Sequence, residues 1–146
     1  MPRDRNRRGP RPIGGQPPGP GVRGVLMPEV IGFVLRLARK DLRVPQTLVA
    51  DRLDVPQTTI SKLERGVITH SVYHLDLFAE AISRNAHDED VWEGWELMKA
   101  ATEIASDIET QHDLPSYWVS PRQAPPGQFV RGRELFAVVE AIWRGR

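Results

Sequence analysis

The chain contains no cysteine, which excludes disulfides, cysteine–zinc sites and thiol nucleophiles. It has no apolar run approaching the roughly 18 residues that a membrane span needs, and no secretory apolar core follows the start. A cytoplasmic protein with no membrane contact is therefore expected. The short motifs of common catalysis are also missing: there is no G-x-S-x-G elbow, no P-loop and no H-E-x-x-H. Neither enzymatic activity nor a cofactor is expected. His70 and His74 stand at a spacing that metal sites use, but no third ligand is near and Ser71 reads as a helix cap between them. They read as ordinary surface histidines.

What is present is organised by charge. The net charge of +1 conceals a gradient of +5 over residues 1–25, +1 over 26–86 and −5 over 87–146. Such asymmetry points toward nucleic acid. Six arginines (Arg3, Arg5, Arg7, Arg8, Arg11 and Arg23) lie in the first segment, which is otherwise rich in glycine and proline. A segment of that composition buries too little apolar surface to offset its ordering entropy, so residues 1–26 are expected to form a disordered arm.

Order is expected from Pro28, which suits a first helical turn because its missing N–H is not needed there. Ile31, Val34, Leu35 and Ala38 recur at helical spacing and predict a helix over 28–40. Short helices follow over 46–53 and 57–64, and Ser71 caps a fourth that runs to about Ser83. Asn85 or Asp88 is expected to cap a longer helix ending near Glu109. Pro115, Pro121, Pro125 and Pro126 enforce an irregular stretch, and a last helix covers 133–143. The fold class is all-α.

The informative stretch is PQTLVADRLDVPQTTISKLERG, residues 45–66. The tetrapeptide VPQT opens each of its two helices, as Val44–Thr47 and Val55–Thr58. Each proline pre-sets the first-turn dihedral and leaves a glutamine, Gln46 or Gln57, on that exposed turn. Ala50 stands where the two helices cross closely. Leu53, Val55, Ile60 and Leu63 fill the core beneath, and Gly66 can adopt the left-handed backbone that ends a helix. Together with Arg39 upstream, these residues resemble the helix-turn-helix domains of phage repressors (Cro/C1, XRE-type) over about residues 28–84. Two positions depart from that pattern: Asp54 stands where the turn usually has glycine, and Pro45 and Pro56 replace Ser or Thr at the helix starts.

The resemblance implies a helix-turn-helix bundle at 27–86 that binds double-stranded DNA as a transcriptional regulator. It implies that Arg39 and Glu64 form a structural ion pair tying the first helix to the third. It further implies that Gln46 holds a phosphate and braces Gln57, which reads adenine through its paired donor and acceptor. Thr58, Ser61 and Lys62 share the outward face and join the predicted DNA contacts.

Residues 87–146 form a C-terminal helical extension for dimerisation or partner binding. Their charge of −5 disfavours phosphate contact, so the tryptophans read as core and interface residues. Phe33, Val34 and Leu37 are apolar where the resembled family usually has exposed polar residues, so something is expected to cover them. Val91, Trp95, Met98, Ala105 and Ile108 form one apolar stripe, and Leu135, Val138, Val139 and Ile142 another. Either a second copy or the chain itself provides the cover. The leading expectation is a repressor binding a palindromic site as a homodimer. The other is an interaction protein, antitoxin-like or polymerase-binding, that uses the acidic aromatic region.

Overall fold

The computed structural model describes residues 24–68, 71–112, 116–117 and 129–146. The arm up to residue 23, His70, Trp118 and the prolines at 115, 121, 125 and 126 lie outside them. Among the described residues the chain is helical, as expected. Helix α1 spans Met27–Asp41, α2 Gln46–Leu53, α3 Gln57–Glu64, α4 Val72–Ser83, α5 Gly94–His112 and α6 Gly132–Arg144. A single 3-10 turn, Asp88–Asp90, lies between α4 and α5.

Helix α1 is the hub. It packs against α3, α4, α5 and α6, and its buried side chains run from Met27 to Arg39. One cluster includes Val34, Leu37 and Ala38 of α1, Ile60 of α3, Phe78 of α4, Leu97 and Ile104 of α5, and Leu135 and Val139 of α6. Cover for Phe33, Val34 and Leu37 thus comes from within the chain. Phe33 meets Phe136 of α6 edge-on, with ring centroids 5.2 Å apart. The extension at 87–146 is not an appendage: with α1 it shares one core. Both apolar stripes are accordingly divided. Ala105, Ile108, Leu135 and Val139 are buried, Met98, Val138 and Ile142 are half-buried against the core, and only Val91 and Trp95 remain exposed.

Order begins earlier than the proline at 28 suggests. Gly24–Leu26 form strand β1, fully buried, which pairs in parallel with β2 (Ser116–Tyr117) and β3 (Phe129–Val130). Val25 stands opposite Ser116 on one side and Val130 on the other. The strand clips the chain before α1 to the segment that links α5 and α6. Strands of two or three residues show no alternation, so no period could reveal them.

The longer helix begins at Gly94 rather than at Asn85 or Asp88. Between them, Val91 is extended and the Trp92 N–H donates to Ser83 Oγ at 2.8 Å, which holds the chain out of helical geometry. A Cβ at position 94 would lie 2.7 Å from the Asp76 backbone nitrogen, so only glycine allows α5 to start this close to α4. At the far end of α1, Asp41 sits where the helix dipole disfavours an acid. Arg144 Nη1 and Trp143 Nε1 of α6 compensate, donating to its carboxylate at 2.6 and 2.8 Å. Trp143 also stacks on Trp92 at 5.5 Å.

Candidate nucleic-acid interface

The two short helices start and stop where their sequence says. Pro45 and Pro56 are extended residues directly preceding α2 and α3. Asp54 ends α2 in the left-handed conformation, with φ 56° and ψ 48°, which short polar side chains tolerate better than most. Val55 N–H then returns to Ala50 O at 3.0 Å and turns the chain toward α3. Ala50, Ile60 and Leu63 are buried, while Leu53 and Val55 are half-buried against the core.

Helix α3 is pressed onto α1 backbone to backbone. A Cβ on Gly32 would lie 2.6 Å from the Leu63 carbonyl oxygen, and one on Gly66 would lie 2.6 Å from Glu29 Cα. Gly66 also has a φ of +71°, so its left-handed geometry and its close approach both demand glycine. Gly32 was not identifiable from sequence: a glycine inside a helical pattern signals close packing only once its neighbour is known.

An ion pair locks this contact from the side. Arg39 Nε donates to Glu64 Oε2 at 2.6 Å and Arg39 Nη2 to Glu64 Oε1 at 2.9 Å. The two side chains are 10% and 2% exposed. Arg39 Nη1 donates to the Val44 carbonyl at 2.9 Å, which places the turn before α2. That turn carries Arg43 in a left-handed backbone, φ 59°, a strain of about 1–3 kcal/mol that the flanking bonds hold.

The same carboxylate reaches outward. Glu64 Oε1 accepts from Gln46 Nε2 at 2.9 Å, and Gln46 Oε1 accepts from Gln57 Nε2 at 3.3 Å. A continuous polar chain therefore runs from buried Arg39 through Glu64 and Gln46 to exposed Gln57. An amide has two N–H groups and a carbonyl. After these bonds Gln57 keeps one donor and its acceptor for a ligand, and Gln46 keeps one donor. Thr58 and Lys62 are exposed and Ser61 half-buried. Their spacing, at 57, 58, 61 and 62, puts them with Gln57 along one side of α3.

Comparison with known families finds one match, a helix-turn-helix family model over residues 35–84. The chain carries a helix-turn-helix domain. The match starts later than the resemblance read from sequence but ends at the same residue, and it supports a DNA-binding function in transcription regulation. No curated protein and no solved structure matches the chain. The helix-turn-helix domain occupies about a third of the sequence, and α5 and α6, which complete its core, lie outside the matched residues.

Basic residues at the edges of this surface were overlooked in the motif reading. Arg43 just before α2 and Arg65 just after α3 are exposed, whereas Arg52 is engaged, its Nη1 donating to the Ala81 carbonyl at 2.6 Å. Among the described residues no cluster of His, Asp or Glu is arranged to hold a metal, and His74 is exposed on α4. No helix there is long and apolar enough to cross a membrane.

Proposed function

We propose that this protein is a sequence-specific repressor that inserts α3 into the major groove of duplex DNA, with Gln57 reading a base and Gln46 holding a phosphate. The observation that carries this reading is the polar chain from Arg39 to Gln57. A side chain meant only for solvation needs no bracing, whereas base readout depends on a side chain held in one geometry before contact. Thr58, Ser61 and Lys62 complete the contact row. Repression is the simpler mode, because occluding polymerase requires no added surface.

The domain itself is close to neutral, with a net charge of +1 over residues 26–86. Neutralising a stretch of phosphates therefore falls to the edge arginines Arg43 and Arg65 and to the arginine-rich segment before residue 24, which adds salt-dependent affinity without base specificity.

A single recognition helix reads few base pairs, and a two-fold pair reads a palindrome. The residues that suit such pairing are the exposed apolar ones: Tyr73 and Leu77 on α4, Val91 ahead of α5 and Trp95 in its first turn, on two helices that meet closely where Gly94 packs on Asp76. The same surface would serve a partner protein in the adaptor reading. Trp95→Asp separates the two: it splits a homodimer seen by light scattering, whereas an adaptor is monomeric already. Removing residues 87–146 would not separate them, because it strips α5 and α6 from the core.

The main test selects bound fragments from random duplex DNA and then measures variants on the selected site. Gln57→Ala is expected to cost about 1–3 kcal/mol and relax preference at one base pair. Gln46→Ala weakens binding evenly across sequences. Unchanged affinity in Gln57→Ala overturns the assignment of α3 as the reading helix.

A further inference from the structure

A groove of about 430 Å³ opens between α1, the turn that follows α3, and the start of α6. Small-molecule sites are commonly of this size, mostly apolar with a few convergent polar groups. One wall is aromatic: Phe33 and Phe136 pack edge to face, and Val67 extends the apolar surface. Arginines rim the opening. Arg36 holds its guanidinium 4.5 Å above the Phe136 ring, Arg65 arrives from the end of α3, and Arg133 from the first turn of α6. None of these three has a carboxylate partner among the described residues.

A second observation lies at the base of the groove. Glu29 has a side chain only 6% exposed, and its Oε2 accepts from Arg131 Nε at 2.8 Å. Its other oxygen, Oε1, is buried with no hydrogen-bond partner. Buried acceptors are normally satisfied, and the Gly132 backbone N–H also serves this carboxylate beside Arg131, so the position left open at Oε1 is where a ligand donor would add a bond.

We infer that this groove binds a small amphiphilic anion: a planar apolar body against Phe33, Phe136 and Val67, a carboxylate or phosphate on Arg36, Arg65 and Arg133, and a hydroxyl or N–H donor directed at Glu29. The apolar wall argues against a nucleic-acid backbone as occupant, since a run of phosphates gains nothing from facing phenylalanine. Charge favours an anionic over a neutral ligand, since Arg36, Arg65 and Arg133 converge on the opening with no carboxylate partner among the described residues.

The probe is 6-hydroxy-2-naphthoate, titrated into the full chain without DNA and followed by amide chemical shifts. Two comparators dissect the chemistry: 2-naphthol keeps ring and donor without the anion, and inorganic phosphate keeps the anion without the ring. Saturable shifts are expected at Phe33, Arg65, Val67 and Phe136, with affinity at least tenfold above either comparator. The double variant Arg36→Gln/Arg133→Gln is expected to stay folded, with a small drop in melting temperature from the lost Arg36–Phe136 contact, and to lose at least tenfold of that affinity. Phosphate binding as tightly as the naphthoate reduces the groove to a plain anion patch and overturns the proposal. So do shifts that fail to saturate, shifts that fall elsewhere, or a folded double variant that binds undiminished. Because DNA takes no part, failure here leaves the DNA-binding reading untouched.

Discussion

The two sides of α1 are built on different principles. Toward α3 the contact is backbone on backbone at Gly32 and Gly66, fastened by a buried bidentate ion pair and a chain of amides. Toward α5 and α6 it is a broad apolar seam, with hydrogen-bonded polar pairs near its ends, where Glu29 meets Arg131 and Asp41 meets Trp143 and Arg144, and with Arg36 lying over Phe136 between them. A buried ion pair adds little net stability over apolar residues of the same size, since desolvation offsets most of its Coulomb energy. What it adds is direction. The motif side therefore specifies where Gln46 and Gln57 stand, and the extension side supplies most of the burial that keeps them there.

The largest effect that would break this division comes from Glu64→Ala. It leaves the Arg39 guanidinium buried without its carboxylate and releases Gln46 at once. A stability loss of about 3–5 kcal/mol is expected in urea unfolding, as for other buried pairs cut on one side. DNA affinity is expected to fall further than the unfolded fraction explains. A variant that retains full affinity once folded would show that the polar chain does not position Gln57.

Leu135→Ala probes the opposite side. Leu135 is fully buried on α6, and truncating such a leucine typically costs about 2–5 kcal/mol. At a temperature where the variant stays folded, affinity and base preference on the selected DNA site are expected to be unchanged. A shifted base preference would mean that the apolar seam also sets the geometry of α3, and the contrast between the two sides would fail.

The two sides also differed in how far sequence exposed them. Helices α2 and α3 were readable to the residue, because proline marks each start and Asp54 and Gly66 carry the left-handed stops locally. The Arg39–Glu64 pair came from the family resemblance, not from spacing alone. On the extension side, periodicity revealed helices and apolar stripes but not their partner: the same pattern fits a second copy or the chain's own α1. The start of α5 was misjudged because Asp88, Glu89 and Asp90 look like a helix opening. The deciding contacts, Trp92 on Ser83 and Gly94 on Asp76, are long-range and leave no local mark. Arg43 in a left-handed turn was equally hidden, since arginine carries no preference for that conformation.

The smallest expected effect concerns Glu29, which stands where the two sides meet, beneath Gly66 and against Arg131 of the α6 start. Burial pushes its pKa above the ordinary 4.5, and the hydrogen bond and charge of Arg131 together with the backbone N–H of Gly132 only partly oppose this. The folded state therefore binds this proton more tightly than the unfolded chain does. Its contribution is most favourable below the ordinary value and is lost as pH rises from there through the folded value. Glu80 acts in the opposite sense, because the hydrogen bond from Arg84 lowers its pKa, so wild-type stability alone would mix the two signs. Comparison with Glu29→Gln isolates Glu29, since Glu80 titrates identically in both proteins. The glutamine side chain places N–H groups where a carboxylate oxygen had no partner, and that penalty or gain is the same at every pH. The readout is therefore the shape of the difference: urea unfolding from pH 4 to 8 is expected to show the variant gaining on wild type as pH rises, then running parallel to it. A flat difference, or one that favours wild type with rising pH, would mean that Arg131 and Gly132 fully compensate the burial of Glu29 and that the junction between the two sides carries no strain.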